Sequence, residues 1–328
     1  HDVLGVDINL DLIGMLSSGQ THVFEPGLDD MLRTNLEARK INFSEELSGN
    51  ADIYIISVGT PIGVDSKPSL TALNQVLWVI SENLKKGDQV MLRSTVPVGT
   101  SRSVVIPFLE SKTNLKAGRD FYITFVPERT VEGGAMQELK SLPQVIGGYS
   151  SNCTIKSLEF WSTLTPNVIQ VKGLEAAELV KLANNTFRDL SFAFANELSM
   201  VADQFNVNAF DLIHAANDGY PRNPIPLPSP GVGGYCLTKD PILFSSTVDG
   251  LRNDAVLGIA SRKVNERASL YPIEVLTRFA HKNKIQLNEM KVLIIGVAFK
   301  GAPETKDVRG SVAIDLLKIL KNKMYRVY

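Results

Sequence analysis

Over the first 130 residues, apolar positions gather into short β-branched runs at 3–8, 52–59, 89–95 and 122–126, with a stretch of helical period at 69–84 between two of them. Continuous apolar runs of this length read as strands buried in a parallel sheet. Their alternation with helix predicts a doubly wound, Rossmann-like α/β domain, whose ligand lies over the carboxyl ends of the strands. Those ends carry Asp7, the turn Gly59-Thr60-Pro61 and Thr95. Past the fourth run come Glu128 and Glu132, in a segment that reads equally well as a solvated turn.

Between 174 and about 206 there is neither Gly nor Pro. The pattern predicts one helix of about 50 Å, suited to a domain connector or a dimer interface. Lys181 and Asn185 stand four apart on one face of it, and Phe192 and Asn196 extend the stripe. On an exposed helix such a pair is merely solvated, whereas facing a cleft it becomes a donor cluster for an oxyanion. A further apolar run at 291–298 opens a second α/β unit.

Charge narrows the partners. With 21% charged residues, scattered Lys and Arg and a formal net charge of −1, nothing marks a nucleic-acid surface or a polybasic membrane patch. No apolar run approaches the roughly 20 residues of a spanning helix, and no signal peptide is apparent, so a cytoplasmic location is expected. Cys153 and Cys236 are too few for a disulfide framework, and the four histidines lack ligand spacing, so no structural metal is expected.

The segment Gly231-Val232-Gly233-Gly234-Tyr235-Cys236-Leu237-Thr238-Lys239-Asp240-Pro241 is the sharpest chemical signal. An isolated cysteine is ordinarily a small buried hydrophobe. Here a glycine-rich loop would bring the thiol close to a ligand, with a nearby cation favouring thiolate. Asp7, closing an apolar strand, is placed to bind the ribose hydroxyls of NAD and to repel the extra phosphate of NADP, although many such residues only cap the next helix. No GxGxxG occurs in the chain. Gly296 and Gly301 have P-loop spacing, but Ala302 follows where lysine is needed, so a Walker A loop is rejected.

Taken in order, Gly5-Val6-Asp7-Ile8-Asn9, Glu25-Pro26-Gly27-Leu28, residues 94–99, Pro127-Glu128, Lys181 with Asn185, residues 233–237 with Lys239 and Asp240, and Ala298-Phe299-Lys300-Gly301 with Asp307 and Arg309 resemble the UDP-glucose/GDP-mannose dehydrogenase family over nearly the whole chain. The resemblance implies an NAD-binding domain at 1–170 lacking its first strand and glycine turn. It also implies a central helical, dimer-forming region with the cysteine loop at 171–285 and the start of a second, UDP-sugar-binding Rossmann-like domain at 286–328.

It further implies oxidation of a sugar C6 alcohol to the acid in two hydride transfers, through a Cys236 thiohemiacetal and thioester. By resemblance Lys181 and Asn185 stabilise the oxyanion, and Asp240 orders Lys181 and water. Thr95 with Glu132 holds water or moves a proton, and Glu128 supports the cofactor edge. Gly59, Thr60, Pro61 and Arg309 would meet NAD; Arg222, Gly233, Gly234, Tyr235, Phe299 and Lys300, with Glu132 and Lys181, would meet the UDP-sugar. Residues 127–133 and 220–228 are most similar to the branch acting on UDP-N-acetylglucosamine or UDP-N-acetylmannosamine. UDP-glucose as substrate, a single-step hydroxyacid dehydrogenase and a non-catalytic subunit are the alternatives, and the last two leave Cys236 without a purpose.

Overall fold

The computed structural model describes residues 1–47, 49–63, 67–246, 255–323 and 326–327. The chain forms two units, one mainly of His1–Lys181 and taking in Pro303–Lys306, the other mainly of Leu182–Thr247, Leu251–Ala302 and Asp307–Tyr328.

In the first unit β1 (Val3–Val6) is followed by α1 (Leu10–Ser17), α2 (Leu28–Glu37) and β2 (Ile41–Ser44), and β1 and β2 pair in parallel. Asn9 starts α1 by accepting the Leu12 N–H on its side chain at 3.2 Å. The buried strand expected over 3–8 is shorter and more open than its apolar character suggests. Only four residues pair, and Val3 and Val6 are 48% and 44% exposed.

The main sheet holds β3 (Ile53–Ile56), β4 (Gln89–Leu92), β5 (Tyr122–Phe125), β6 (Gln144–Gly148) and β7 (Val168–Val171), in that order. Between them in sequence lie α3 (Thr71–Asn83), α4 (Ile106–Thr113), α5 (Ala135–Ser141) and α6 (Ser151–Trp161). The first three strands are parallel and bring Ile56, Leu92 and Phe125 into register, so the loops after them leave from one edge. β6 runs antiparallel to β5, and β7 is parallel to β6, which makes the sheet mixed.

Alternation along the strands sorts side chains to two faces. Val90 and Leu92 join Tyr54, Ile56, Ile123 and Phe125 beneath Leu73, Leu77 and Ile80 of α3, whose spacing places them on one helical stripe. Met91 points the other way, into a cluster with Val126, Ile146 and Trp161. Each fully buried large side chain of this kind contributes about 1.5–3 kcal/mol relative to exposure.

The uninterrupted pattern at 174–206 becomes α7 (Leu174–Gln204), whose 31 residues span about 46 Å and pass from the first unit into the second. The second unit continues with α8 (Ala209–Asn217), α9 (Tyr235–Phe244), α10 (Val256–Asn283), β8 (Lys291–Val292), α11 (Val312–Asn322) and β9 (Arg326–Val327), the last parallel to β8. Ile273 of α10 packs with Leu316 and Leu320 of α11. The strand expected over 291–298 stops at Val292, and Leu293 and Ile295 are exposed.

Candidate active site

Cys236 is helical rather than in a loop. α9 begins at Tyr235, so the exposed thiol occupies the first turn of a ten-residue helix. The positive end of the helix dipole favours negative charge there. That replaces the cation argument, because the buried Lys239 ammonium points to its neighbour, donating to Asp240 Oδ1 at 2.6 Å.

Asp240 lies one helical turn beyond Cys236 and is fully buried. Its second oxygen, Oδ2, accepts from Asn185 Nδ2 of α7 at 2.5 Å. Both oxygens are therefore engaged, one by Asn185 and the other by the neighbouring Lys239.

Gly234 has φ +86° and lies so close to Phe299 that a Cβ there would stand 2.7 Å from the ring. Its N–H donates to Gly310 O at 3.2 Å, and Gly233 packs against the same carbonyl. Lys300 holds its ammonium 5.5 Å from the Phe299 ring centre, and Arg309 forms an ion pair with Asp307. The expected Gly233, Gly234, Phe299 and Arg309 thus gather in one part of the second unit, next in sequence to Tyr235 and Cys236. Arg222 lies instead on an exposed segment, over Tyr220.

Spacing did not reveal the polar lattice behind this loop. Buried Asp189 of α7 accepts from Arg262 Nη1 at 2.8 Å, Ser261 Oγ at 2.7 Å and Asn265 Nδ2 at 2.8 Å, all on α10. Asn265 Oδ1 accepts from Asn196 Nδ2, and Asn196 Oδ1 accepts the Ser229 N–H at 2.8 Å. Asn196 therefore anchors the approach to the glycine loop and does not belong to a donor stripe with Lys181. The one available signal was polar Asp189 and Asn196 seven apart among apolar neighbours.

In the first unit Gly59-Thr60-Pro61, Thr95 and Glu128 follow β3, β4 and β5 at the shared carboxyl edge. Asp7 follows β1, is exposed, and accepts the Asn9 N–H at 2.9 Å; the cap of α1 is Asn9. An exposed carboxylate after one strand and a small-residue turn after another fit NAD: Asp7 would take the ribose hydroxyls, and Gly59, Thr60 and Pro61 would admit close approach.

Glu128 is occupied by structure. It pairs with Arg93, and its Oε1 accepts the N–H groups of Arg129 and Thr130 at 2.7 Å. Burial pushes its carboxyl up, but the Arg93 charge and the hydrogen bonds outweigh that and leave it below the ordinary glutamate range. Glu132, four residues on, has Oε1 bound by the Thr305 hydroxyl at 2.6 Å.

Lys181 is half-buried on α7. One turn earlier, buried Glu178 accepts from the N–H groups of Gly99 and Ser101 at 2.6 and 2.9 Å, fastening α7 to the turn after Thr95. Burial drives its carboxyl above the ordinary value despite hydrogen bonds from Ser101 and Gly99.

Comparison with known proteins places the whole chain among similar sequences and folds. Residues 1–165 match the NAD binding domain and residues 175–267 the central domain of the UDP-glucose/GDP-mannose dehydrogenase family. The UDP-N-acetyl-D-mannosamine dehydrogenase of Pyrococcus horikoshii is 34% identical over all of this chain and 77% of its own. The NDP-N-acetyl-D-galactosaminuronic acid dehydrogenase of Ralstonia solanacearum is 31% identical over 98% of this chain and 74% of its own. The solved structure of UDP-D-ManNAc dehydrogenase from Pyrococcus horikoshii superimposes with a TM-score of 0.91 at 32% identity, covering 100% of this chain and 77% of that one.

Proposed function

Because the chain belongs to the UDP-glucose/GDP-mannose dehydrogenase family, we propose that it is an NAD-dependent nucleotide-sugar dehydrogenase whose substrate is UDP-N-acetyl-D-mannosamine, oxidised at C6 to the uronic acid on Cys236. Bound NAD supplies the acceptor for the two electrons removed at each oxidation. The observation that carries the reading is an exposed thiol in the first turn of α9, followed one turn later by fully buried Asp240.

In the second unit Cys236 adds to the sugar aldehyde, holds the carbon as a thiohemiacetal and then as a thioester, and is released by water. Asn185 donates to the oxygen that becomes anionic, and its amide is oriented by Asp240. Gly233, Gly234, Tyr235, Phe299, Lys300 and Arg222 meet the nucleotide-sugar, and Arg309 the cofactor phosphates. In the first unit Lys181 is a second oxyanion donor, and Thr95 and Glu132 hold water. Asp7, Gly59, Thr60 and Pro61 bind NAD, while Glu128 supports this edge through Arg93.

Residues 1–170 then act in cofactor binding, 171–285 in the thiol chemistry and 286–328 in UDP-sugar recognition. The protein works as a homodimer in the cytoplasm. An exposed apolar row on α7, Phe187, Phe194 and Val201 at intervals of seven, with Phe205 just past the helix end, supports pairing with a second copy. Among the described residues no helix is long and apolar enough to cross a membrane.

Turnover of UDP-N-acetylmannosamine, UDP-N-acetylglucosamine and UDP-glucose side by side tests the substrate. The mannosamine epimer is expected to give the highest kcat/KM and two NADH per sugar. A preference for UDP-glucose, or one NADH per sugar, would overturn the reading.

A further inference from the structure

The turn that carries Glu132 is held more tightly than its place at a strand end requires. Glu128 Oε1 takes the N–H of Thr130, Glu138 Oε2 takes that of Val131 at 2.6 Å, and the two oxygens of Glu25 take those of Gly133 and Ala135. Three carboxylates from separate points in the sequence thus fix the backbone on both sides of Glu132. Such charge-assisted bonds are about twice as strong as neutral ones.

Pro303–Lys306 belongs to this same unit and closes over the turn. Gly133 has φ +84°, and a Cβ on it would stand 2.5 Å from Glu304 O, so only glycine permits this approach. The approach brings Thr305, 7% exposed, to the Glu132 carboxylate, where its hydroxyl donates to Oε1 at 2.6 Å.

We propose that Thr305 is a positioning residue for Glu132, fixing the plane of a carboxylate whose backbone Glu25, Glu128 and Glu138 have already fixed. A glutamate on a rigid turn still has three rotatable bonds. A hydroxyl bound to one oxygen removes most of that freedom before substrate arrives, and a group so held can direct water without reorganising during the reaction. The inference rests on the reading of Glu132 as a water-holding residue.

The test compares Thr305→Val, Thr305→Ser, Glu132→Gln and the double variant Thr305→Val/Glu132→Gln, assayed as whole enzyme with NAD and UDP-N-acetylmannosamine. Valine keeps the shape of threonine and deletes the hydroxyl. Thr305→Val is expected to lower kcat about tenfold with KM for both substrates nearly unchanged, and Thr305→Ser to restore most of the loss. The double variant should fall no further than Glu132→Gln alone, because both changes remove one arrangement. Wild-type kcat in Thr305→Val, no rescue by serine, or independent multiplication of the two losses overturns the proposal while leaving the role of Glu132 intact. Wild-type turnover in Glu132→Gln overturns that role, and this proposal with it.

Discussion

Asn185 Nδ2 donates to Asp240 Oδ2 at 2.5 Å, tying the long helix α7 to the helix that carries the thiol. The other oxygen of Asp240 neutralises Lys239, whose side chain is buried. Asp240→Asn keeps the size but leaves that ammonium without its countercharge. Breaking a buried pair from one side costs about 3–5 kcal/mol, and loss of an oriented oxyanion donor costs on the order of 10²-fold in kcat. Urea unfolding and steady-state kinetics of the variant should show both losses. An unchanged unfolding midpoint would mean that the pair does not hold this part of the second unit.

Asp7 is exposed at the end of β1 and does not cap α1. Its carboxylate is expected to favour NAD over NADP by at least about tenfold in kcat/KM, on the order of 1.4 kcal/mol. Asp7→Ser should narrow that ratio. Equal specificity constants in the unaltered enzyme would remove Asp7 from the cofactor site.

Glu178 and Glu128 have opposite pH signatures. The folded carboxyl of Glu178 titrates above its unfolded value because burial disfavours the charge. Between those two values the folded chain binds the extra proton, so this group's contribution to stability declines as pH rises through the window. Glu128 titrates below its unfolded value: burial is outweighed by Arg93 and by hydrogen bonds. Its contribution is present above the unfolded value and is lost as pH falls through the folded one. Unfolding free energies measured across the acid range should therefore show wild type losing ground to Glu178→Gln as pH rises, and to Glu128→Gln as pH falls.

The exposed row on α7 makes a separate claim. Phe187→Asp together with Phe194→Asp puts charge on two positions that are 72% and 55% exposed in the single chain. Light scattering should find a dimer for the unaltered protein and a monomer for the double variant. A monomer before substitution, or a dimer after it, would assign the row elsewhere.

Local composition made β3, β4, β5, α3 and α7 legible, because β-branched runs and helical spacing are properties of adjacent residues. The reversal at β6 was not legible, since it depends on which strand Gly147 and Gly148 meet. Pro241 argues against a helix in sequence, yet α9 carries it, which hid the helical setting of Cys236. The candidate residues Cys236, Asn185, Asp240 and Glu132 could be picked from motifs, but their supports could not. Glu178 meets Gly99 across 79 positions, Arg262 meets Asp189 across 73, and Thr305 meets Glu132 across 173. Such pairs are created by packing and leave no spacing to read.

The most direct measurement concerns the thiol. Cys236→Ser retains a nucleophile of poorer reactivity, and an ester hydrolyses more slowly than a thioester, so acylated protein should accumulate. Intact-protein mass spectrometry after incubation of Cys236→Ser with UDP-N-acetylmannosamine and NAD is predicted to show one nucleotide-sugar acyl adduct mapping to position 236. Cys236→Ala under the same conditions should show no adduct and no net uronic acid. Wild-type turnover by Cys236→Ala would contradict a covalent route through this residue.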